Sequence, residues 1–160
     1  MKDGYGGNAL EWAAQENRIS NAKMLIEGGC DVNNLNGDGM TALYTACAEG
    51  NADMARLLLD NNAEPDRTED ATPLIIASCY GKIECVKLLL EHVADVNTID
   101  NEGRTALFYA VVYRQDEVEK LRSDNGASYD ICDKDGVSPG QLKDEGVRER
   151  IYSELMGEEK

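Results

Sequence analysis

The chain repeats itself, and that constrains its fold more than anything else in it. Segments beginning Asn8-Ala9-Leu10, Thr41-Ala42-Leu43, Thr72-Pro73-Leu74, Thr105-Ala106-Leu107 and Ser138-Pro139-Gly140 align, with starts 33, 31, 33 and 33 residues apart. A fixed period of this size marks an array of supersecondary units that must stack to bury their apolar faces. Five residues into the first four units stands a small residue, Ala13, Ala46, Ala77 and Ala110, as needed where two helices approach closely. Sixteen residues into the first three units an apolar triplet begins, Met24-Leu25-Ile26, Leu57-Leu58-Leu59 and Leu88-Leu89-Leu90, which reads as a second, core-facing helix.

Between triplet and next start lie turn-rich stretches such as Gly29-Cys30-Asp31-Val32-Asn33, Val93-Ala94-Asp95-Val96-Asn97 and Gly126-Ala127-Ser128-Tyr129-Asp130. They run on to tips at Asp38-Gly39, Glu102-Gly103 and Asp135-Gly136, where glycine suits a positive φ, and the Thr or Ser that follows can cap the first helix through its hydroxyl. Each unit therefore reads as hairpin, helix, helix, with no true sheet.

These residues closely resemble the ankyrin repeat, whose Thr-Pro-Leu-His-x-Ala signature is matched best by Thr72-Pro73-Leu74-Ile75-Ile76-Ala77. The resemblance covers residues 8 to 156 and implies an all-α repeat solenoid, a single domain over 1–160 with units 8–40, 41–71, 72–104 and 105–137 and a degenerate cap at 138–156. No unit keeps the family's His; its place holds Glu11, Tyr44, Ile75, Phe108 and Gln141.

Departures from the pattern mark the weaker parts of the stack. The hairpin from Glu64 to Ala71 is two residues short and lacks the tip glycine, so its projection should differ. Val93 replaces a helix-ending glycine, and since a β-branched residue is disfavoured at positive φ, a compensating turn geometry is expected there. In the fourth unit the triplet reads Leu121-Arg122-Ser123, losing two buried aliphatic side chains at about 1.5 to 3 kcal/mol each, so that helix is expected to be short or frayed. The fifth unit has Gly140 where Leu is expected and is mostly polar, as terminal caps tend to be.

Charge and composition narrow the function. With 16 Lys plus Arg against 31 Asp plus Glu the net charge is −15, which repels phosphate backbones and anionic lipid and favours a partner protein with a basic surface. Apolar runs such as Leu57-Leu58-Leu59 and Leu88-Leu89-Leu90 fall far short of the roughly 20 residues that span a bilayer. The stretch Met1 to Gly7 has no apolar core of the kind an export signal requires, and the five cysteines (Cys30, Cys47, Cys79, Cys85, Cys132) include no C-x-x-C pair, so an intracellular chain, cytoplasmic or nuclear, with reduced thiols is expected. Cys47, Cys79 and Cys85 fall at or beside core positions, where a thiol behaves as a compact hydrophobe.

Catalytic and metal chemistry find little support. The one histidine, His92, ends a second helix without the nucleophile and orienting group a catalytic base needs. Asn34, Asn36, Asp38 and Gly39 match positions 1, 3, 5 and 6 of an EF-hand loop, but position 12 falls on Thr45 rather than Glu, and a turn-rich tip explains the same letters. No enzyme activity, cofactor or metal is expected. The resemblance implies a monomeric protein-interaction module that grips its partner with hairpin tips and first helices; the same family supports two other readings, a stoichiometric inhibitor of an enzyme such as a kinase, or a spacer within a larger scaffold.

In the family the residues seven and eight after each start, here Gln15-Glu16, Ala48-Glu49, Cys79-Tyr80 and Val112-Tyr113, are variable contact positions beside the hairpin. The candidate binding residues are therefore Glu49, Tyr80, Val112 and Tyr113 on the first helices, Met40 and Arg104 just before them, and Asp38, Asp70, Glu102 and Asp135 at the tips. Asn33 and Asn97 also resemble sites that are hydroxylated in some animal ankyrin repeats. Because contacts in a stack are local, unfolding should begin at the C-terminal end, where Arg122 and Ser123 interrupt the core pattern, with amide hydrogen exchange faster in residues 105–156 than in 41–104.

Overall fold

A computed structural model describes residues 9–157. The expected start at Asn8 and the stretch Met1 to Gly7 lie outside the described residues. Among the described residues nine α-helices follow one another: α1 (Ala9–Gln15), α2 (Ile19–Glu27), α3 (Ala42–Glu49), α4 (Ala52–Asp60), α5 (Pro73–Cys79), α6 (Ile83–Glu91), α7 (Ala106–Val112), α8 (Asp116–Asp124) and α9 (Glu145–Met156), with one 3₁₀ turn at Gln141–Lys143. The first eight form four helix pairs, one per unit, and the 3₁₀ turn with α9 forms the cap. Among the described residues the only extended pairing is an isolated antiparallel bridge between Ile99 and Thr105.

The first helix of each pair starts where the sequence places it. The hydroxyls of Thr41, Thr72 and Thr105 accept from the amides of Tyr44, Ile75 and Phe108 at 3.2, 3.3 and 3.2 Å, each satisfying one of the orphan donors of a helix start. Ser138 goes further, since its amide donates to Gln141 Oε1 at 2.7 Å while its hydroxyl accepts from the Gln141 amide at 3.4 Å, a reciprocal capping box.

The helices stand in two layers. Helices α1, α3, α5 and α7 pack in sequence, as do α2, α4, α6 and α8, and the first helices share the closer contact. Ala13, Ala46, Ala77 and Ala110 allow that approach, all 4% exposed or less. Closer packing in one layer bends the stack toward it, so the first helices line the concave side. Leu10, Leu43, Leu58, Leu74, Val86 and Leu89 fill the core between layers. Cys47 and Cys85 are buried there too.

The tips are built on one motif. Asn36, Asp100 and Asp133 each bond through the main-chain amide to the carbonyl four residues on, at 2.9, 3.0 and 2.9 Å. In each the side-chain Oδ1 accepts from the amides two and four residues on. This Asx geometry needs a left-handed residue three along, which Gly39, Gly103 and Gly136 supply at φ of 73°, 77° and 78°. The Asn36 oxygen is thus engaged in its own turn, in keeping with the turn reading of that segment. The short hairpin lacks the motif: Thr68 Oγ1 accepts the Asp70 amide at 3.3 Å, and the segment is stitched to its neighbours through Glu69 N to Gly39 O at 3.2 Å and Asn101 N to Asp70 Oδ1 at 2.9 Å.

Successive units are also tied behind the tips. Asn33 Oδ1 accepts from Glu64 N at 2.7 Å, Asp66 Oδ2 from Asp95 N at 3.0 Å and Asn97 Oδ1 from Ser128 N at 2.9 Å. The same turn position in three units thus carries a side-chain oxygen for the next unit's backbone.

Two expectations are corrected. Val93 adopts no compensating turn: its φ is 63°, in register with Gly29 at 85°, Asn62 at 65° and Gly126 at 83°. The stack imposes the left-handed turn whatever residue occupies it, and Val93 lies 86% exposed. Helix α8 is neither short nor frayed, being nine residues long like α2, α4 and α6. Arg122 takes the place of the missing leucine, fully buried, and donates to Ser78 Oγ at 3.2 Å and Val96 O at 2.6 Å. Where the other junctions set Leu58 and Leu89 at this position, with Ala14 and Cys47 at the place of Ser78, this one changes both residues to polar. Burial disfavours the guanidinium's charged form and pulls its pKa down to about 9, which leaves it charged at neutral pH.

Three outcomes are expected from thermal and urea unfolding. Val93→Gly should stabilise the fold by about 1 kcal/mol, since it relieves a left-handed β-branched residue without losing burial. Arg122→Ala should cost about 3 kcal/mol through a cavity and a lost buried bond. Arg122→Met, which keeps the volume and removes the buried charge, should stay within about 1 kcal/mol of the parent.

Candidate functional site

On a helix, positions three and four apart share a face. Those seven and eight after each repeat start therefore share it with the position four after the start, giving Trp12-Gln15-Glu16, Thr45-Ala48-Glu49, Ile76-Cys79-Tyr80 and Tyr109-Val112-Tyr113. On α1, α3 and α5 none of these residues is buried. Tyr80 is 59% exposed and Trp12 61%, and Glu49 is exposed while Tyr113 is half-buried.

The ten candidate residues do not form one patch. Asp38, Asp70, Glu102 and Asp135 stand exposed at the tips, and Met40 is half-buried with its amide on Asn36 Oδ1 at 3.0 Å. Val112 is a core residue, 2% exposed and packed with Leu107, Phe108 and Ile151, because α9 lies against α7. Counting it as a contact residue is corrected. Arg104 is largely committed inside the protein, its guanidinium 5.3 Å from the Phe108 ring centroid and its Nε 3.4 Å from Asp133 Oδ2.

Aromatic residues that the seven-and-eight rule missed complete the surface. Tyr113 stacks on Tyr109, with centroids 6.2 Å apart and rings 9° from parallel, and meets Tyr152 of the cap edge-on at 5.9 Å and 77°. The Tyr109 hydroxyl donates to Asp100 Oδ2 at 2.6 Å. Tyr44 lies near Tyr80, Cys79 and Asp70. Adding four to each repeat start finds Tyr109 from sequence alone. Tyr152 had no such signal, since its place depends on how the cap folds back.

Burial first, and neighbouring acidic groups that would share negative charge with the phenolate second, raise the pKa of Tyr44 and Tyr113. Tyr109 rises with them through burial and its bond to Asp100, and burial pushes the Cys79 thiol up to about 12. At neutral pH these groups are uncharged, so the phenols are neutral rings and donors and the thiol is unreactive. The negative charge of the face comes from its carboxylates. Among the described residues Asp38, Glu49 and Asp70 form no ion pair, whereas the tip residue Glu102 pairs with Lys134 at 3.6 Å and further pairs lie away from the tips, as in Glu84 with Lys87 at 2.8 Å or Glu149 with Arg114 at 3.0 Å.

Two hollows flank this surface. A cleft of 290 Å³ between Tyr113, Arg114, Arg148 and Tyr152 closes its C-terminal end. An open groove of 840 Å³, lined by Trp12, Ala13, Met24 and Leu25 with Arg18 and Asn21, lies at the other end of the stack on α1 and α2. Among the described residues no three or more His, Cys, Asp or Glu side chains converge as metal ligands, and no helix is long and apolar enough to cross a membrane. His92 caps α6, with Nδ1 2.9 Å from Leu88 O and Nε2 3.8 Å from Asp60.

Comparison with known proteins agrees with this architecture. The family model described as ankyrin repeats in three copies matches residues 1–69 and 63–135. Inversin of Canis lupus familiaris is 32% identical over 142 residues, covering 86% of this chain and 13% of the relative. Neurogenic locus notch homolog protein 2 of Homo sapiens is 31% identical over 134 residues, 82% of this chain and 5% of the relative. An ankyrin repeat protein of Acanthamoeba polyphaga mimivirus is 35% identical over 114 residues, 69% of this chain and 15% of the relative. The chain thus spans only a small part of these curated relatives' length. Ankyrin repeats as a class are protein-interaction modules. With the 33-residue period, the capped helix pairs, the layered stack and the family match in agreement, the chain belongs to the ankyrin-repeat family.

Proposed function

We propose that the chain binds another protein along its concave face, with Tyr80 as the central anchor, Tyr44, Tyr109 and Tyr113 beside it, and the tip residues Asp38, Asp70, Glu102 and Asp135 as an acidic rim toward a basic partner. The observation that carries this reading is an exposed aromatic ring, 59% open, between first helices whose neighbouring carboxylates Glu49 and Asp70 make no ion pair among the described residues. Aromatic anchors within a polar rim are the usual anatomy of a binding patch. Helices α3, α5 and α7 hold the face in place before binding, which limits the ordering cost. Five cysteines without a C-x-x-C pair support action in a reducing compartment.

Photo-crosslinking is the direct test. A benzophenone side chain at position 80 or 49 should trap a partner that the same group at position 56 or 120, on the second-helix layer, does not. With that partner in hand, Tyr80→Ala should weaken binding by about 2 kcal/mol and leave the melting temperature almost unchanged. Tyr113→Ala should lower both, because Tyr113 packs between Tyr109 and Tyr152. Undiminished affinity in folded Tyr80→Ala would remove the concave face as the binding surface.

A further inference from the structure

The C-terminal cap shows how this protein holds a cation against a tyrosine. Lys143 Nζ lies 4.3 Å from the Tyr129 ring centroid and 3.9 Å from Glu119 Oε1, and the Tyr129 hydroxyl donates to that same oxygen at 2.8 Å. Ring, carboxylate and ammonium thus form one unit, in which the ring's negative face and the carboxylate attract the charge together. Arg104 over Phe108, with Asp133 as its carboxylate, is a second case. Both have their cation supplied from within the chain.

Around Tyr80 the same ingredients occur without one. Its ring is exposed, and half-buried Tyr44 on α3 has both Tyr80 and the Asp70 carboxylate in its neighbourhood. Glu49 occupies on α3 the position that Tyr80 occupies at the end of α5, and α3 and α5 pack directly together. Among the described residues neither Glu49 nor Asp70 is ion-paired, and no cation is stacked on Tyr80.

Resting on the concave-face reading, we propose that this place is a seat for a cationic side chain of the partner, an arginine or lysine in a linear basic segment, laid over the Tyr80 ring and flanked by Glu49 and Asp70. The charge balance selects this occupant: an acidic segment would meet two uncompensated carboxylates, and an aliphatic one would leave them buried without partners. Tyr113 stands at the matching position one unit on. Packed helices lie about 8 to 10 Å apart, and three residues of extended chain rise about 10 Å. A segment with cations three residues apart therefore brings a second one to Tyr113.

The test uses the full chain and a fluorescein-labelled peptide of about ten residues, with arginine at every third position among glycine and serine, in fluorescence anisotropy at low salt. A second peptide carries glutamine in place of each arginine. The arginine peptide should bind at least about tenfold more tightly than the glutamine peptide. Tyr80→Leu, which keeps an apolar side chain but removes the ring, should weaken it about fivefold to tenfold, whereas Tyr80→Phe stays within about twofold. Glu49→Gln combined with Asp70→Asn should weaken it by about tenfold. The side chains at all three positions, Glu49, Asp70 and Tyr80, being exposed, melting temperatures should hold. If Tyr80→Leu binds the arginine peptide as the parent does, attraction is only diffuse and the seat is refuted; equal binding of the glutamine peptide refutes it as well. The two readings fail separately: a crosslinked partner that tolerates Tyr80→Leu but loses affinity with Tyr80→Ala keeps the concave face as its surface and removes only the cation seat, whereas undiminished affinity in folded Tyr80→Ala removes both.

Discussion

Two antiparallel helices of seven to nine residues cannot enclose their own apolar side chains, and helices so short are marginal in water without tertiary packing. Everything else in this protein follows from burying each pair against the next. The alanines at 13, 46, 77 and 110 bring the first helices close, the leucines of the second helices fill the space between layers, and the closer inner layer bends the stack. The threonine caps and Asx tips contribute about 1 kcal/mol apiece at most, but they fix where each helix begins and so keep the units in register.

Much of the fold was legible because its signals are local and repeated. Period, caps, tip glycines and core triplets are all properties of a few residues at fixed offsets, and each recurs often enough to be checked against itself. The misread positions are those where the stack overrides local preference. Val93 is held in a left-handed turn that its own side chain disfavours. Arg122 extends a helix that its polarity should have ended, because Ser78 and the Val96 carbonyl, 44 and 26 residues earlier, offer it acceptors.

The proposed binding face was only half legible. A helical offset names the outward positions of any first helix, and Tyr80 and Glu49 lie where that arithmetic puts them. It cannot know that a cap will fold over α7, and so it exposed Val112, which α9 buries, and overlooked Tyr152, which α9 supplies. The tip arginine was misjudged for the same reason: Arg104 finds Asp133 and Phe108 only once neighbouring units are stacked. What the stack leaves open is a set of neutral rings and unpaired carboxylates on a rigid support, a division of labour in which packing residues set shape and outward residues set chemistry.

The buried contact between Arg122 and Ser78 bears on a hazard shared by all proteins made of similar parts. Units that resemble one another can pair out of order, within a chain or between two chains exchanging segments. At the other junctions a leucine faces a small apolar residue or a cysteine, so one pairing resembles the next. An arginine buried opposite Ala14 or Cys47 would lack the hydroxyl it finds at Ser78, and a leucine opposite Ser78 would leave the Val96 carbonyl without its donor. The charged side chain thus makes swapped or slipped arrangements costly, and it labels the fourth helix pair as belonging after the third.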